Sequence, residues 1–134
     1  MFSYNTSQNP AHPRVWLRVT DNRRGFSFPQ FDAVIDTGAD GSCIPSAVVR
    51  QVPTQNYDYE RAKVKDYTGT TRTETFVRIL DATVEFMDSQ SAILYTGNYA
   101  NLRLLVIPNG LLGRDILNKN LWEFDGPGLQ AKVR

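Results

Sequence analysis

The chain has one cysteine and one histidine in 134 residues, and each scarcity closes off a class of chemistry. A single Cys excludes a disulfide framework, and Cys43 with His12 leaves too few soft ligands for a zinc site. A Ser-His or Cys-His hydrolase would depend on His12, which stands in the polar, Pro-flanked stretch Pro10–Ala11–His12–Pro13. Charge of one sign is also missing. Lys and Arg number 15 against 14 Asp and Glu, so no global field points to nucleic acid or acidic lipid. No apolar run approaches the roughly 18 residues of a membrane helix. The start, Met1–Phe2–Ser3–Tyr4–Asn5, lacks the basic and apolar regions of a signal peptide, so the sequon Asn5–Thr6–Ser7 is read as chance. The expectation is a soluble, cytoplasmic protein with a reduced thiol and no nucleic-acid or membrane partner.

What is present is ordinary globular composition. Hydrophobic residues make up 41% and charged residues 22%, which argues against disorder and fits one domain with its own core. Residues 1–13, rich in Asn, Ser, Pro and Gln, are expected as a loose leader, with the domain over 14–134. Val15, Leu17 and Val19 alternate as on a half-buried strand, and Asp21–Asn22–Arg23–Arg24–Gly25 is turn chemistry. Phe26 to Ile35 returns as a second extended segment, interrupted at Pro29 and Asp32. Ser46 to Gln51 predicts a short helix between Pro45 and Pro53, and Thr54 to Arg61 is a polar stretch.

Further strands are expected over Ala62–Tyr67, Thr73–Leu80, Ala82–Met87, Ala92–Tyr95 and Leu104–Ile107. Thr68–Gly69–Thr70–Thr71 forms the tip of the first hairpin. Leu111 to Asn118 is the best helix candidate, and Asp125–Gly126–Pro127–Gly128 is a turn between two terminal strands. The result is a mostly β domain of many short strands.

One segment carries chemistry. Ala33–Val34–Ile35 is an apolar strand that delivers the carboxylate of Asp36 into a loop of small residues, Thr37–Gly38–Ala39–Asp40–Gly41–Ser42, which exits through Cys43–Ile44–Pro45. Gly38 and Ala39 leave the backbone open to close approach, and Thr37 sets a hydroxyl beside the carboxylate. A strand end whose Asp36 merely caps a turn is the plain alternative.

Asp36–Thr37–Gly38–Ala39 resembles the active-site signature of the retropepsin-like, single-lobe aspartic proteases. Leu111–Leu112–Gly113–Arg114–Asp115 is similar to that family's apolar-apolar-Gly element, where a strand passes behind the active loop and enters a helix. The Tyr67–Thr71 tip stands where the family carries its flap. The resemblance implies an all-β, closed-barrel-like acid protease (retropepsin) fold with one or two short helices. The tail from Trp122 onward is more like cellular, particularly prokaryotic, members than retroviral ones.

The resemblance also implies an aspartic endopeptidase. The chain has one Asp-Thr-Gly, whereas this chemistry, as established for aspartic proteases as a class, needs two carboxylates sharing one proton. A homodimer follows, with Asp36 facing its copy, an extended peptide or protein as substrate, and no metal or cofactor. Asp36, Thr37 and Gly38 take the catalytic positions. Ala39, Asp40, Tyr67, Thr68, Gly69 and Thr70 are the expected substrate contacts, and Leu112, Gly113 and Arg114 the structural support. The rival from another class is a catalytically silent dimeric module that holds an extended peptide in the same groove.

Arg114 and Asp40 match an ion pair of the retroviral branch. Buried beneath the loop it would cost about 3–5 kcal/mol to break, whereas two surface charges contribute about 0–1 kcal/mol. Tyr67 either gates the cleft or packs on its own hairpin. Lys63, Lys65, Arg72 and Glu74 read as the wet face of that hairpin, and Cys43 as a small buried hydrophobe. Trp122 and Leu129 either anchor the dimer interface or pack the terminal hairpin.

Overall fold

Val15, Leu17 and Val19 are each at most 2% exposed and alternate with half-buried neighbours, the pattern of a strand with one face in the core. The computed structural model describes residues 2–5, 12–118, 122–125 and 130–133. Its strands run in chain order as β1 (Phe2–Asn5), β2 (His12–Asp21), β3 (Phe26–Ser27), β4 (Phe31–Ile35) and β5 (Cys43–Pro45). Helix α1 (Ser46–Arg50) and a helical turn at Thr54–Asn56 lead into β6 (Asp58–Lys65), β7 (Thr71–Met87) and β8 (Ile93–Ile107). Then come β9 (Gly110–Leu112), α2 (Arg114–Leu117), β10 (Trp122–Asp125) and β11 (Gln130–Val133).

Six strands close on themselves. β2 pairs with β4, β4 with β9, β9 with β5, β5 with β8, β8 with β7, and β7 with β2 again. The barrel is filled by inward-facing side chains, among them Ala33, Ile44, Val77, Val84, Phe86 and Leu112, all 0% exposed. Each fully buried aliphatic or aromatic side chain contributes about 1.5–3 kcal/mol. Across the β2–β7 closure Arg18 donates to both oxygens of Glu85, at 2.7 and 2.9 Å. The all-β, closed-barrel acid protease fold with two short helices is therefore the observed one.

The expected short strands after Thr70 merge. β7 joins Thr73–Leu80 with Ala82–Met87, and β8 joins Ala92–Tyr95 with Leu104–Ile107. Their polar middles lie on the outer face, and a bulge between Phe86 and Met87 lets the long hairpin bend with the barrel. The polar stretch Thr54–Arg61 supplies the first half of β6. Within the expected leader, Phe2–Asn5 is a strand paired with β11 and β2, and β2 itself begins at His12. Trp122 lies in β10 opposite Val133, and Leu129 is outside the described residues. No helix among the described residues is long and apolar enough to cross a membrane.

Candidate active site

β9 lies between β4 and β5, parallel to the first and antiparallel to the second. The chain leaving β4 must therefore pass over the end of β9 to reach β5, and residues 36–42 are that bridge. Ile35 pairs with Leu112, so Asp36 emerges where β9 ends and α2 begins. The Asp36 N–H donates to Leu112 O at 2.9 Å, which sets the carboxylate at the mouth of the barrel. The side chain is half-buried between a buried Ile35 and an exposed Thr37. Its Oδ1 accepts the Gly38 N–H at 2.9 Å, and among the described residues Oδ2 has no hydrogen-bond partner. That free oxygen at a strand end is where a water or a second carboxylate can be met.

The loop rests on the first turn of α2. Arg114 N–H donates to Ala39 O at 2.8 Å, and Asp115 N–H to Asp40 O at 3.2 Å. Gly113 has an ordinary extended backbone, so its need for glycine is steric. A Cβ there would stand 2.6 Å from Gly41 O and 3.0 Å from Ala39 O. Ser42, 2% exposed, completes the join. Its N–H donates to Asp115 Oδ2 at 3.0 Å and its hydroxyl to Asp115 Oδ1 at 2.5 Å, while its Oγ accepts the Gly113 N–H at 2.9 Å. Asp115 Oδ1 also accepts the Ile116 N–H at 2.8 Å.

The expected Arg114–Asp40 pair is formed, but not beneath the loop. Its side chains are 48% and 90% exposed, so the buried-bridge reading gives way to the surface one. The polar anchor is instead the buried Ser42 with the half-buried Asp115, which reasoning from the sequence missed. The available signal was Asp115 in the first turn of a short helix, where a carboxylate is placed to accept backbone N–H groups.

The β6–β7 hairpin carries the expected tip residues. Asp66 organises it: Oδ1 accepts the Thr68 N–H (2.9 Å), the Thr68 hydroxyl (2.6 Å) and the Thr70 N–H (3.0 Å), while Gly69 turns the chain at φ +84°. The Thr68 hydroxyl bond is the main cause holding the Asp66 carboxyl below its usual range. Tyr67 is fully exposed, so it does not pack on its own hairpin. Among the described residues no hydrogen bond or ion pair joins this tip to the Asp36 loop, so the two groups of expected contacts remain separate in the single chain.

The wet face divides in two. Lys63 and Lys65 lie opposite Thr73 and Thr71, whereas Arg72 and Glu74 pair with Val64 and Ala62, and alternation puts these two sets on opposite faces. Beside the loop a groove of about 410 Å³ is lined by residues 40–43 and by Phe76, Arg103, Leu105 and Asp115, so the Ser42–Asp115 join borders it. The Arg103 guanidinium stacks 3.7 Å over the Phe76 ring and pairs with Glu60. Cys43 is 7% exposed, and burial, reinforced by Asp115 and Glu74, pushes its thiol up to about 11. Among the described residues no group of three or more His, Cys, Asp or Glu is placed to hold a metal ion.

A strand-end carboxylate on a small-residue loop, seated on a Gly-locked strand–helix turn in a closed six-stranded barrel, defines the single-lobe acid protease class. The chain matches the retroviral aspartyl protease family over residues 9–123, well over half its length, and belongs to that family. Among solved structures it is similar to EIAV protease complexed with the inhibitor HBY-793, at 19% identity and a TM-score of 0.44, covering 81% of this chain and 86% of that one. No curated protein matches it.

Proposed function

We propose that the chain is a homodimeric aspartic endopeptidase in which Asp36 of each subunit supplies one carboxylate of the catalytic pair. The observation that carries this reading is Asp36 itself. It is held at the barrel mouth by Leu112 O, with one carboxylate oxygen bound to Gly38 N–H and the other unpartnered among the described residues. Two such groups a few Å apart cannot both ionise cheaply, so one keeps a proton, and the apparent pKa values belong to the pair.

The ionised Asp36 then takes a proton from a water held between the two, while the protonated one polarises the scissile carbonyl. The water oxygen bonds to the carbonyl carbon to give a diol, which collapses as a proton passes to the leaving amine. Thr37, exposed beside Asp36, is suited to bond across the two-fold axis. Gly38 and Ala39, with Asp40, offer open backbone to an extended peptide, which Tyr67 to Thr70 would cover from the flap side. The β10–β11–β1 strands extend from the barrel through β2, and such an extension suits a dimer contact.

The test is cleavage of a diverse peptide library from acidic to neutral pH, with Asp36→Asn in parallel and the dimer fraction measured. Cleavage that tracks the dimer and is lost in Asp36→Asn supports the peptidase. A well-formed dimer that binds peptides and cuts none would identify a peptide-holding module instead.

A further inference from the structure

The Asp36 loop is tied to α2 by two systems of opposite character. One is the exposed Arg114–Asp40 pair. The other centres on the buried Ser42 and the half-buried Asp115: Ser42 Oγ, 2.5 Å from Asp115 Oδ1, also takes the Gly113 N–H at 2.9 Å, and the Ser42 N–H reaches Asp115 Oδ2 at 3.0 Å. The loop is anchored at its entry by Asp36 N–H on Leu112 O. Ser42 and Asp115 are the anchor at its exit. We propose that Ser42 and Asp115 are positioning residues for Asp36, and that their hydrogen-bonded unit, rather than the Arg114–Asp40 pair, sets the height and angle of the loop over β9.

The geometry explains why this falls to Ser42. Residues 36–42 bridge from one neighbour of β9 to the other, so the bridge has a fixed span and two ends. Arg114 and Asp115 N–H groups hold its middle through Ala39 O and Asp40 O, but those donors belong to the first turn of a four-residue helix. A helix this short is not stable alone, and its first turn is only as well placed as the groups that bind it. Asp115 binds that turn through Ile116 N–H and binds the loop through Ser42, so one carboxylate fixes both in a common frame. Ser42 Oγ is both donor and acceptor within the unit, and only a hydroxyl does both there. Its main chain continues the brace, because Ser42 O accepts the Leu105 N–H of β8 at 3.2 Å. A displacement of the loop of about 1 Å is enough to cost on the order of 100-fold in turnover.

This inference rests on the peptidase reading for its kinetic arm, and its second arm does not. Ser42→Ala, Ser42→Thr, Asp115→Asn and Arg114→Gln would be compared with the unaltered dimer by peptide cleavage and by amide hydrogen exchange. In Ser42→Ala and Asp115→Asn, exchange should quicken across residues 36–42 and 113–117 while β7 and β8 keep their protection. kcat should fall about 10–100-fold with KM within about twofold. Ser42→Thr, which keeps the hydroxyl, should restore both readings, and Arg114→Gln should leave the exchange of residues 36–42 near that of the unaltered protein.

Unchanged loop exchange in Ser42→Ala would overturn the proposal. So would a rise spread evenly over β7 and β8, which is general destabilisation, or an equal effect from Arg114→Gln. Should the unaltered protein cleave nothing, the peptidase reading fails. The exchange arm then still decides whether Ser42 and Asp115 hold the loop.

Discussion

Gly113 packs against Gly41 so closely that a methyl group at position 113 would stand 2.6 Å from the Gly41 carbonyl oxygen. The contact is backbone on backbone, and neither side can yield by rotating a side chain. Gly113→Ala must therefore lift the loop from α2 or shift the helix. Overpacking of this kind costs about 1–3 kcal/mol, and the cost falls on the segment that carries Asp36. Urea unfolding should show a loss in that range. On the peptidase reading, peptide turnover should fall by about 100-fold or more, out of proportion to the stability change. Turnover within a few-fold of that of the unaltered protein would show that the loop height over Gly113 is not critical.

The exposed ion pair and the buried hydroxyl make opposite predictions for stability. Asp40→Asn removes one partner of a pair whose side chains are 48% and 90% exposed, and should cost no more than about 1 kcal/mol. Ser42→Ala leaves the Gly113 N–H without its acceptor at a buried position, which costs about 1–3 kcal/mol. Denaturant midpoints for the two variants, compared at unchanged m-value, give the order directly. A larger loss from Asp40→Asn than from Ser42→Ala would reverse the assignment of the anchor.

These two sites also mark what the sequence makes legible. Asp36–Thr37–Gly38 and Leu111–Leu112–Gly113 are contiguous runs, so the loop and the element behind it could be read locally, and the barrel followed from them. Val15, Leu17 and Val19 declared their buried face by alternation alone. The Ser42–Asp115 unit joins residues 73 apart, and a Ser and an Asp at that separation carry no local pattern. Arg114 and Asp40 were visible as opposite charges, but their exposure depends on where the loop lies in space. Reading the sequence gives separate strands ending at Leu80 and Tyr95 and resuming at Ala82 and Leu104, whereas β7 runs on through Asp81 and β8 through Asn98 and Asn101. Asn98 is the wet half of an alternation, whereas Leu80–Asp81 and Ala100–Asn101 are each two exposed residues in a row, with Asn101 at φ +55°, so the buried phase shifts there and alternation alone does not carry across the join.

Cys43 should behave as a core side chain. At 7% exposure, with its thiol pushed up to about 11 by burial and by the nearby Asp115 and Glu74, it stays protonated at neutral pH. A thiol reagent at pH 7–8 should label the native protein slowly and the urea-unfolded protein at once. The same shift carries a pH signature. Its raised pKa contributes stability that is fully present below the ordinary value of 9.0 and is lost as pH rises through about 11. Unfolding measured at pH 8 and at pH 10.5 should show an alkaline loss in the unaltered protein that is smaller in Cys43→Ala. An equal alkaline loss in both would assign it to other groups.

The tip of the β6–β7 hairpin should loosen in acid, and Asp66 is the group responsible. Its carboxylate accepts the Thr68 hydroxyl and the N–H groups of Thr68 and Thr70, and the Thr68 bond leads in lowering its pKa. A carboxylate with a depressed folded pKa contributes order that is present above its unfolded pKa and is lost as pH falls through the folded one. The tip is therefore held at neutral and mildly acidic pH, and its turn is released only below the ordinary value of 3.8. Amide exchange at Thr68, Gly69 and Thr70, corrected for the intrinsic pH dependence, should reveal that opening at the acid end. Asp66→Ala should show the opened behaviour at every pH. Because Tyr67 is fully exposed at the same turn, its ring resonances give a second reading. They should respond to acid in the unaltered protein and not in Asp66→Ala. Tip exchange that is the same in both proteins at neutral pH would show that Asp66 does not hold the turn.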